Sequence, residues 1–578
     1  MLQNFEIAWA FRELADLLEF KEEDFFKVRA YRRAAKTIAG LNEPVELLYR
    51  RGDLAGVPGI GKNILAKIGE MVATGKMRKL EELRAEIPPG VLEIMDLPGI
   101  GPKRAALLYK HLKVASLNDL EEEARQARVR AVPGLGAKTE QDILRNIEML
   151  RSRSGRVLLG FARELAQELG EFLKNLPGVK RIEPTGSVRR WRETVGDIDL
   201  LAMTDAPERL FASFAGHPQV KEILVREEDR MKVITWWGVV VELLAAPEEA
   251  YWSTLLWSTG NQEHYRQLQL LAQQKGLELS RGGIRRQDGK FFLIKGEEDI
   301  YRHLGLPFIP PDLRENRGEI EFCLKTGRLP EVVRLRDIKG DLHIHTNWSD
   351  GVNSLEQIID YARKKGYRYI AITDHSPSLK IARGLSLEQL KEQRKLIEKM
   401  NEKYDDIRIF SGLEVDILPQ GGLDCPPEIL AQLDVVIASV HTSFRQDRRT
   451  MTERILSAVR NEYVDIIGHL TGRLIGQREA YLVDVEKILA AARDYGKFME
   501  INSSPDRLDL SEEHARLAKE YGLKMVINTD AHDLRRMDEM PYGVAVARRA
   551  WLQPADVLNT LKIDEVTKLF RKKMTYGE

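Results

Sequence analysis

Residues 186–201 read GSVRRWRETVGDIDLL. Asp197 and Asp199 stand one residue apart inside an apolar run, and in an alternating strand that spacing turns both carboxylates to the same face. Two like charges there are costly unless a cation holds them. Carboxylate oxygens are the hard ligands that Mg2+ or Mn2+ prefers. Just upstream lies a Gly-Ser turn, Gly186-Ser187, with Arg189 and Arg190 beside it, a grouping that can cradle a triphosphate. With a third carboxylate on a neighbouring strand, the stretch becomes a two-metal site for phosphoryl transfer rather than a pair of acids on an edge strand.

Around this stretch the segments DIDLLAM, MKVITWW and VVVELLA read as a small antiparallel sheet, preceded by an amphipathic helix over residues 156–180. Residues 251–335 are mixed, with a linker-like stretch at PPDLRENRGE (310–319). On the N-terminal side, residues 1 to about 150 read as helical throughout, punctuated by VPGIGK (57–62), LPGIGP (97–102) and VPGLGA (132–137). The pairs Gly59/Gly61, Gly99/Gly101 and Gly134/Gly136 permit a tight turn and leave backbone N–H groups free at a helix N-terminus, where a phosphate can sit. Three such turns resemble helix-hairpin-helix motifs, which grip the DNA backbone without reading sequence. Lys62 adds a charge to the first.

Beyond Asp341 short apolar strands alternate with charged helices: DLHIHT, YIAITDH, IFSGLEVD, DVVIASVHT, VDIIGHL, FMEINSS and MVINTDAH. Seven βα-like units suggest a barrel of parallel strands, with its chemistry at the strands' C-terminal ends. Six of the chain's 11 histidines end these strands or follow them: His343, His345, His375, His441, His469 and His532. Asp350, Glu414 and Asp530 accompany them. A lone histidine is usually a satisfied core residue, but nine ligand-type residues at successive strand ends point to metal ions. Mixed imidazole and carboxylate ligands suit Mn2+ or Zn2+ without choosing between them.

At 578 residues the chain is too long for one core. Lys+Arg and Asp+Glu both total 89, so net charge says nothing about nucleic acid, and any binding must come from local patches. There is no long uncharged apolar run, and the first residues lack the basic start of a signal peptide. Two cysteines, Cys323 and Cys425, give no disulfide framework, which suits a reducing cytoplasm.

Taken together the motifs resemble those of a bacterial-type family X DNA polymerase with a C-terminal polymerase-and-histidinol-phosphatase (PHP) domain. The resemblance implies a multidomain chain: an all-α helix-hairpin-helix region, an α+β nucleotidyltransferase palm and thumb, and a distorted (β/α)7 barrel. Its expected limits are 1–85 for a lyase-like helical domain, 86–155 for a fingers-like one, 156–250 for the palm, 251–317 for the thumb, 318–337 for a linker and 338–578 for the barrel.

By the same resemblance Arg156, Gly186, Ser187 and Arg190 would contact the nucleotide, and Asp197 and Asp199 would share two metals. The third family ligand, an aspartate, falls on Glu242. The Tyr-Phe-Thr-Gly turn becomes Trp257-Ser258-Thr259-Gly260, and an asparagine that contacts the incoming base pair becomes Tyr265. VPGIGKNILAKIGEMVATGKM and RAYRRAAKTIAGL match the small N-terminal domain, in which a lysine forms a Schiff base with an abasic-site sugar. That position is Lys67. Lys62, Arg29, Arg32 and Arg33 could lower its pKa; Lys27 and Tyr31 fit the family, while Asn63 replaces a second lysine. In the barrel, His343, His345, Glu414 and Asp530 would bind one ion, with Glu414 bridging to a second held by His441 and His469. Asp350, His375 and His532 would bind the third, and Arg473, in HLTGRL, is a candidate phosphate contact.

The expectation is therefore a gap-filling repair polymerase with a 3′–5′ exonuclease on the same chain. It would act on gapped or nicked DNA and deoxynucleoside triphosphates, as a cytoplasmic, nucleoid-associated monomer without a membrane. Glu242 places its carboxylate about one methylene further out, and a shift of roughly 1 Å at a reacting centre can cost on the order of a hundredfold. The polymerase is accordingly expected to be weakened or to favour Mn2+. The rivals are a nuclease whose palm only binds DNA, a small-molecule phosphatase, and a DNA-bridging protein without activity.

Overall fold

The computed structural model describes residues 4–571 except 40, 42, 96, 98, 154, 155, 236 and 237. Pro98 of the second glycine turn and the Trp236-Trp237 pair therefore lie outside the described residues. The chain divides into two compact units, residues 1–154 and 155–578. Among the described residues no helix is long and apolar enough to cross a membrane. Cys323 and Cys425 are buried and free.

The first unit is helical, and its described residues contain no strand. Helices Asn4–Phe20, Lys62–Thr74 and Gly101–Leu112 bury the apolar stripes that their 3.6-residue periodicity produces. One continuous core runs from Ile7 to Ile147, through both the 1–85 and 86–155 segments.

The second unit opens with the short strand β1 (Val157–Leu158) and helix Leu159–Lys174, then builds a mixed sheet. The strands are β2 (Val179–Pro184), β3 (Thr194–Val195), β4 (Ile198–Thr204), β5 (Val220–Arg226), β6 (Arg230–Thr235) and β7 (Val240–Ala246). β3 pairs with β1, and the other five lie in the order β2-β4-β7-β6-β5. The expected antiparallel sheet is corrected at its centre, because β4 and β7 run parallel while the other pairs are antiparallel. The reason is the intervening chain. Helix Pro207–Ala215 and the β5–β6 hairpin lie between the two strands, and they bring β7 back alongside β4 in the same direction. A helical segment follows with the hairpin of β8 (Leu277–Ser280) and β9 (Gly283–Arg286) and a core of its own around Tyr265, Leu268 and Tyr301.

Seven strands then pair in chain order, all parallel: β10 (Gly340–Ile344), β11 (Tyr369–Ile372), β12 (Arg408–Asp416), β13 (Val435–Ser439), β14 (Ile466–Ile467), β15 (Phe498–Asn502) and β16 (Met525–Asn528). A bridge between Ile344 and Ala531 brings the first strand to the last. Nearly every strand residue is buried, as expected of a parallel sheet covered on both faces. The covering helices start on side-chain caps: Ser354 and Ser386 form capping boxes with Gln357 and Gln389, and Asp447, Asp484 and Ser511 cap three more. At the strands' N-terminal ends, Leu342, Tyr369, Phe410 and Val435 pack with Val566 and Phe570 of the C-terminal helix. The opposite ends are left for chemistry.

Candidate active sites

In the mixed sheet, the parallel register sets Asp199 directly opposite Glu242. Asp197 precedes β4, and ligand atoms of all three acids lie within 4.8 Å of one another. Burial, and then the charges of Asp197 and Glu242, push the Asp199 carboxyl up to about 7. Three acids so close call for a cation. Part of that charge is met by Lys232, whose Nζ is 3.4 Å from Glu242 Oε2 and 4.0 Å from Asp197 Oδ2, and by Arg230, 3.5 Å from Glu242 Oε1. Both cations lie on β6, and the sequence reading did not single them out. Their alternation with buried Met231 and Val233 in RMKVIT (230–235) is the signal that could have found them.

Gly186 holds φ +58°, and a Cβ there would stand 2.0 Å from Asp199 Oδ2, so the turn touches the acid cluster itself. Ser187 is half-buried in this turn and its carbonyl accepts from Arg192 N–H. Arg156 is exposed and binds Thr194 through Nε at 2.9 Å. Arg190 reaches the helical segment beyond β7, where Nε donates to Glu315 at 2.9 Å and a second N–H to the Thr259 carbonyl. Two expected contacts on that side, Thr259 and Gly260, are buried within the protein, as is Tyr265, which stands where the family has an asparagine. Thr259 is fully buried and its hydroxyl oxygen accepts from Arg189, Tyr265 lies in the core of its own segment, and Gly260 packs against Arg190. Trp257 is exposed, with the Arg281 guanidinium 5.0 Å from its ring centre.

At the barrel's C-terminal end all nine expected ligands converge. Their donor atoms form the groups His343/His345/Asp530, His345/Asp350/His375/His532 and His375/Glu414/His441. His469 joins through Nε2, 3.1 Å from Glu414 Oε1. His345 and His375 each take part in two groups, and Glu414 also lies 3.5 Å from His343 Nε2 and 3.6 Å from His345 Nε2. Donor chemistry and polar satisfaction both fit metal ions. His343 Nε2 and His345 Nδ1 are buried and make no hydrogen bond, and His375 Nδ1 and Glu414 Oε2 have only each other, 2.9 Å apart, a costly state for polar atoms without a ligand. Burial opposes the charge of His441 and His532, yet Glu414 raises the first to about 9, and Asp350 and Asp530 raise the second to about 9. His345 is instead driven down to about 3 by burial and by His532 and His375.

Glu500, absent from the sequence reading, orients the cluster. It accepts from His343 Nδ1 at 2.7 Å, leaving Nε2 for the site, and its other oxygen accepts from His469 N–H at 2.8 Å. Alternation along β15 puts it on one face with Asn502, whose amide donates to Asp530 Oδ2 at 3.0 Å. Arg473 does not face the cluster. Its donors are taken by the carbonyls of Arg507 and Leu508 and by Glu193, 2.7 Å away.

In the helical unit, Gly59, Gly99, Gly101 and Gly134 have positive φ. Gly61 begins helix Lys62–Thr74 without a side-chain cap, and Gly61, Gly101, Gly134 and Gly136 border open space. Lys62 is exposed. Burial lowers the pKa of Lys67, with Arg78 and Lys79 adding to it. Arg32, expected beside that lysine, is instead paired with Asp16 and Glu19 at 2.7 and 2.5 Å.

The chain matches family models described as Helix-hairpin-helix domain (residues 2–77), SAM-like Helix-hairpin-helix tandem (91–148), DNA polymerase beta thumb (254–315) and PHP domain (341–504). It is 37% identical over 562 residues to the DNA polymerase/3′-5′ exonuclease PolX of Bacillus subtilis (strain 168), covering 97% of this chain and 98% of that protein. Shorter matches are to probable phosphatases. One from Thermoanaerobacter sp. (strain X514) is 37% identical over 40% of this chain and 96% of its own length. Another, from Shewanella sp. (strain ANA-3), is 30% identical over 33% of this chain and 75% of its own. By its near full-length relative and its thumb and barrel matches, the chain belongs to the family X DNA polymerases that carry a C-terminal PHP domain.

Proposed function

We propose that the chain fills short DNA gaps by template-directed nucleotidyl transfer in the palm (156–250) and thumb (251–317) and removes 3′-terminal nucleotides in the barrel (338–578). The remaining limits are 1–85 and 86–155 for the DNA-gripping helical domains and 318–337 for a linker. The observation that carries the polymerase half is the pairing of Asp199 with Glu242 in register, with Asp197 beside them. Asp197, Asp199 and Glu242 would hold Mg2+ or Mn2+, and the nine barrel ligands would hold three Mn2+ or Zn2+. Divalent ions in such sites supply Lewis-acid activation of an oxygen nucleophile and stabilise charge at the phosphate.

The chain's own residues do the rest. Asp199, raised to about 7, would have to lose its proton to hold a cation. The Gly186-Ser187 turn and Arg190, whose guanidinium is held in place by Glu315 and the Thr259 carbonyl, would contact the triphosphate, and exposed Trp257 offers a stacking surface. The uncapped glycine turns and Lys62 hold backbone phosphates of gapped or nicked DNA. Lys67, with its lowered pKa, would be the abasic-site lyase nucleophile. The protein would work as a monomer in the cytoplasm, at the nucleoid.

A second reading, an end-processing nuclease whose palm only binds DNA, is favoured by Lys232 and Arg230 lying against Glu242. Primer extension across a one-nucleotide gap, with Mg2+ or Mn2+, decides between them. Extension lost in Asp197→Ala but kept in His343→Ala supports the polymerase. No extension by the unaltered chain with either ion leaves the nuclease.

A further inference from the structure

Arg473, the arginine nearest the barrel ligands in sequence, is tied to carbonyls, which leaves the phosphate without a cationic partner among the expected residues. The loop after β15 supplies one. Arg507 is anchored by its backbone, its N–H donating to the Ser504 carbonyl at 2.8 Å and its own carbonyl accepting from Arg473 Nε at 2.8 Å. The same loop is pressed against helix Leu159–Lys174, where a Cβ on Gly160 would stand 2.8 Å from the Pro505 side chain. Its position is therefore set before any ligand arrives.

The guanidinium has only 19% of its side-chain surface exposed. Its Nε lies 3.7 Å from Asp530 Oδ2, too far for a hydrogen bond, and that oxygen already accepts from Asn502. One terminal nitrogen is buried and makes no hydrogen bond. A second, half-buried cation, Arg478, sits close enough for the Arg507 charge to help burial lower its pKa. The nearby Asp509 is engaged through Oδ2 by the Thr471 N–H and hydroxyl, while its Oδ1 is buried and makes no hydrogen bond to either arginine. A guanidinium with a buried donor that lacks an acceptor, beside a metal-ligand carboxylate and a second arginine, is suited to a multi-oxygen anion such as a phosphate.

We propose that Arg507 binds a non-bridging oxygen of the phosphate at the 3′-terminal nucleotide, positioning it against the barrel's metal ligands. This rests on the phosphodiesterase reading of the barrel. The test uses the full chain, loaded with Mn2+, and three readouts: steady-state removal of the 3′ nucleotide from a single-stranded oligonucleotide, calorimetric binding of thymidine 5′-monophosphate, and bound metal per chain. Arg507→Ala is expected to raise KM and weaken monophosphate binding, each by about 10- to 100-fold, the size of a lost charged hydrogen bond. Arg507→Lys should recover part of both, with metal content and melting temperature unchanged. Unaltered KM and monophosphate affinity in Arg507→Ala would overturn the assignment. So would a loss that tracks loss of metal, since Arg507 would then only steady Asp530. A parent chain that cleaves 3′ ends normally while its variants do the same sinks this inference alone. One that neither cleaves nor binds the monophosphate sinks the phosphodiesterase reading with it.

Discussion

Replacing Gly186 with alanine should disable nucleotide addition while leaving the fold and the barrel intact. Two separate effects enter. The left-handed φ of +58° costs a non-glycine residue roughly 1–2 kcal/mol. The added Cβ would also stand 2.0 Å from Asp199 Oδ2, and real Cβ contacts essentially never fall under 3.0 Å. The carboxylate or the turn must therefore move by about 1 Å, a displacement worth on the order of a hundredfold in rate. Gly238→Ala separates the two effects. It has a similar φ of +72° on the same sheet, but its Cβ would meet nothing within 4 Å. Single-turnover extension across a one-nucleotide gap should fall roughly a hundredfold in Gly186→Ala and only slightly in Gly238→Ala. Both should melt a few degrees lower and trim 3′ ends at the parent rate. Equal extension by the two variants would refute the idea that the turn fixes the metal-binding carboxylate.

Glu297 is 2% exposed and bridges Arg189 and Arg314 at 2.6 and 2.7 Å. Glu297→Ala leaves two buried cations unpaired and should cost about 3–5 kcal/mol in urea unfolding, whereas an unchanged midpoint would contradict that pairing. Glu512 responds to pH. Burial opposes its ionisation, but Arg549, Arg317 and Arg192 outweigh this and lower its pKa below 4.5. Its contribution to stability is therefore full above about 4.5 and lost as pH falls through the lowered folded value. Melting temperature followed from pH 6 to 3 should decline less steeply in Glu512→Gln, and parallel curves would exclude that linkage. Glu242→Asp draws the third carboxylate back by about one bond length and should shift gap extension from Mn2+ toward Mg2+; an unchanged ratio of the two rates would show that ligand length is not what limits the palm.

The barrel was legible because each parallel strand is buried on both faces and so reads as an unbroken apolar run, and because ligand types recur at the strand ends. The assignment of atoms to ions was not, since it depends on which ring nitrogen points inward. Glu500 decides that for His343 by taking the other nitrogen. In the palm, β4 and β7 stand out in sequence, but β5, VKEILVR, is mostly exposed and carries no core stripe. Without it the crossover that makes β4 and β7 parallel cannot be read. The arginines' partners were hidden for a related reason. Arg473 and Arg190 were read from their sequence neighbours, yet their long side chains reach partners up to 280 residues away.

Those long reaches also connect the two catalytic centres. Arg190 donates to Glu315 of the thumb, and Glu315 accepts from Arg549 of the barrel at 3.0 Å. Arg549 also donates to the Arg190 carbonyl at 2.7 Å and to Glu512, which pairs with Arg192 of the palm and Arg317 of the thumb at 3.0 and 2.6 Å. Trp191, between the two palm arginines, meets Tyr542 edge-on at 5.5 Å, with the Arg163 guanidinium 3.6 Å from the Trp191 ring centre. A buried ion-pair network of this kind adds little net stability over an apolar packing of equal volume, because desolvation offsets the attraction. What it does supply is geometry, since Glu315 and Glu512 are each shared by arginines from different segments and so tie those segments to one another. The Gly186–Arg192 turn, which abuts Asp199 of the acid cluster, is therefore held from three sides, and one side is the barrel. The phosphoesterase half is thus part of the scaffold of the polymerase half, and cutting the chain between them would leave Arg190, Arg192 and Glu315 without the Arg549–Glu512 pair that orients them.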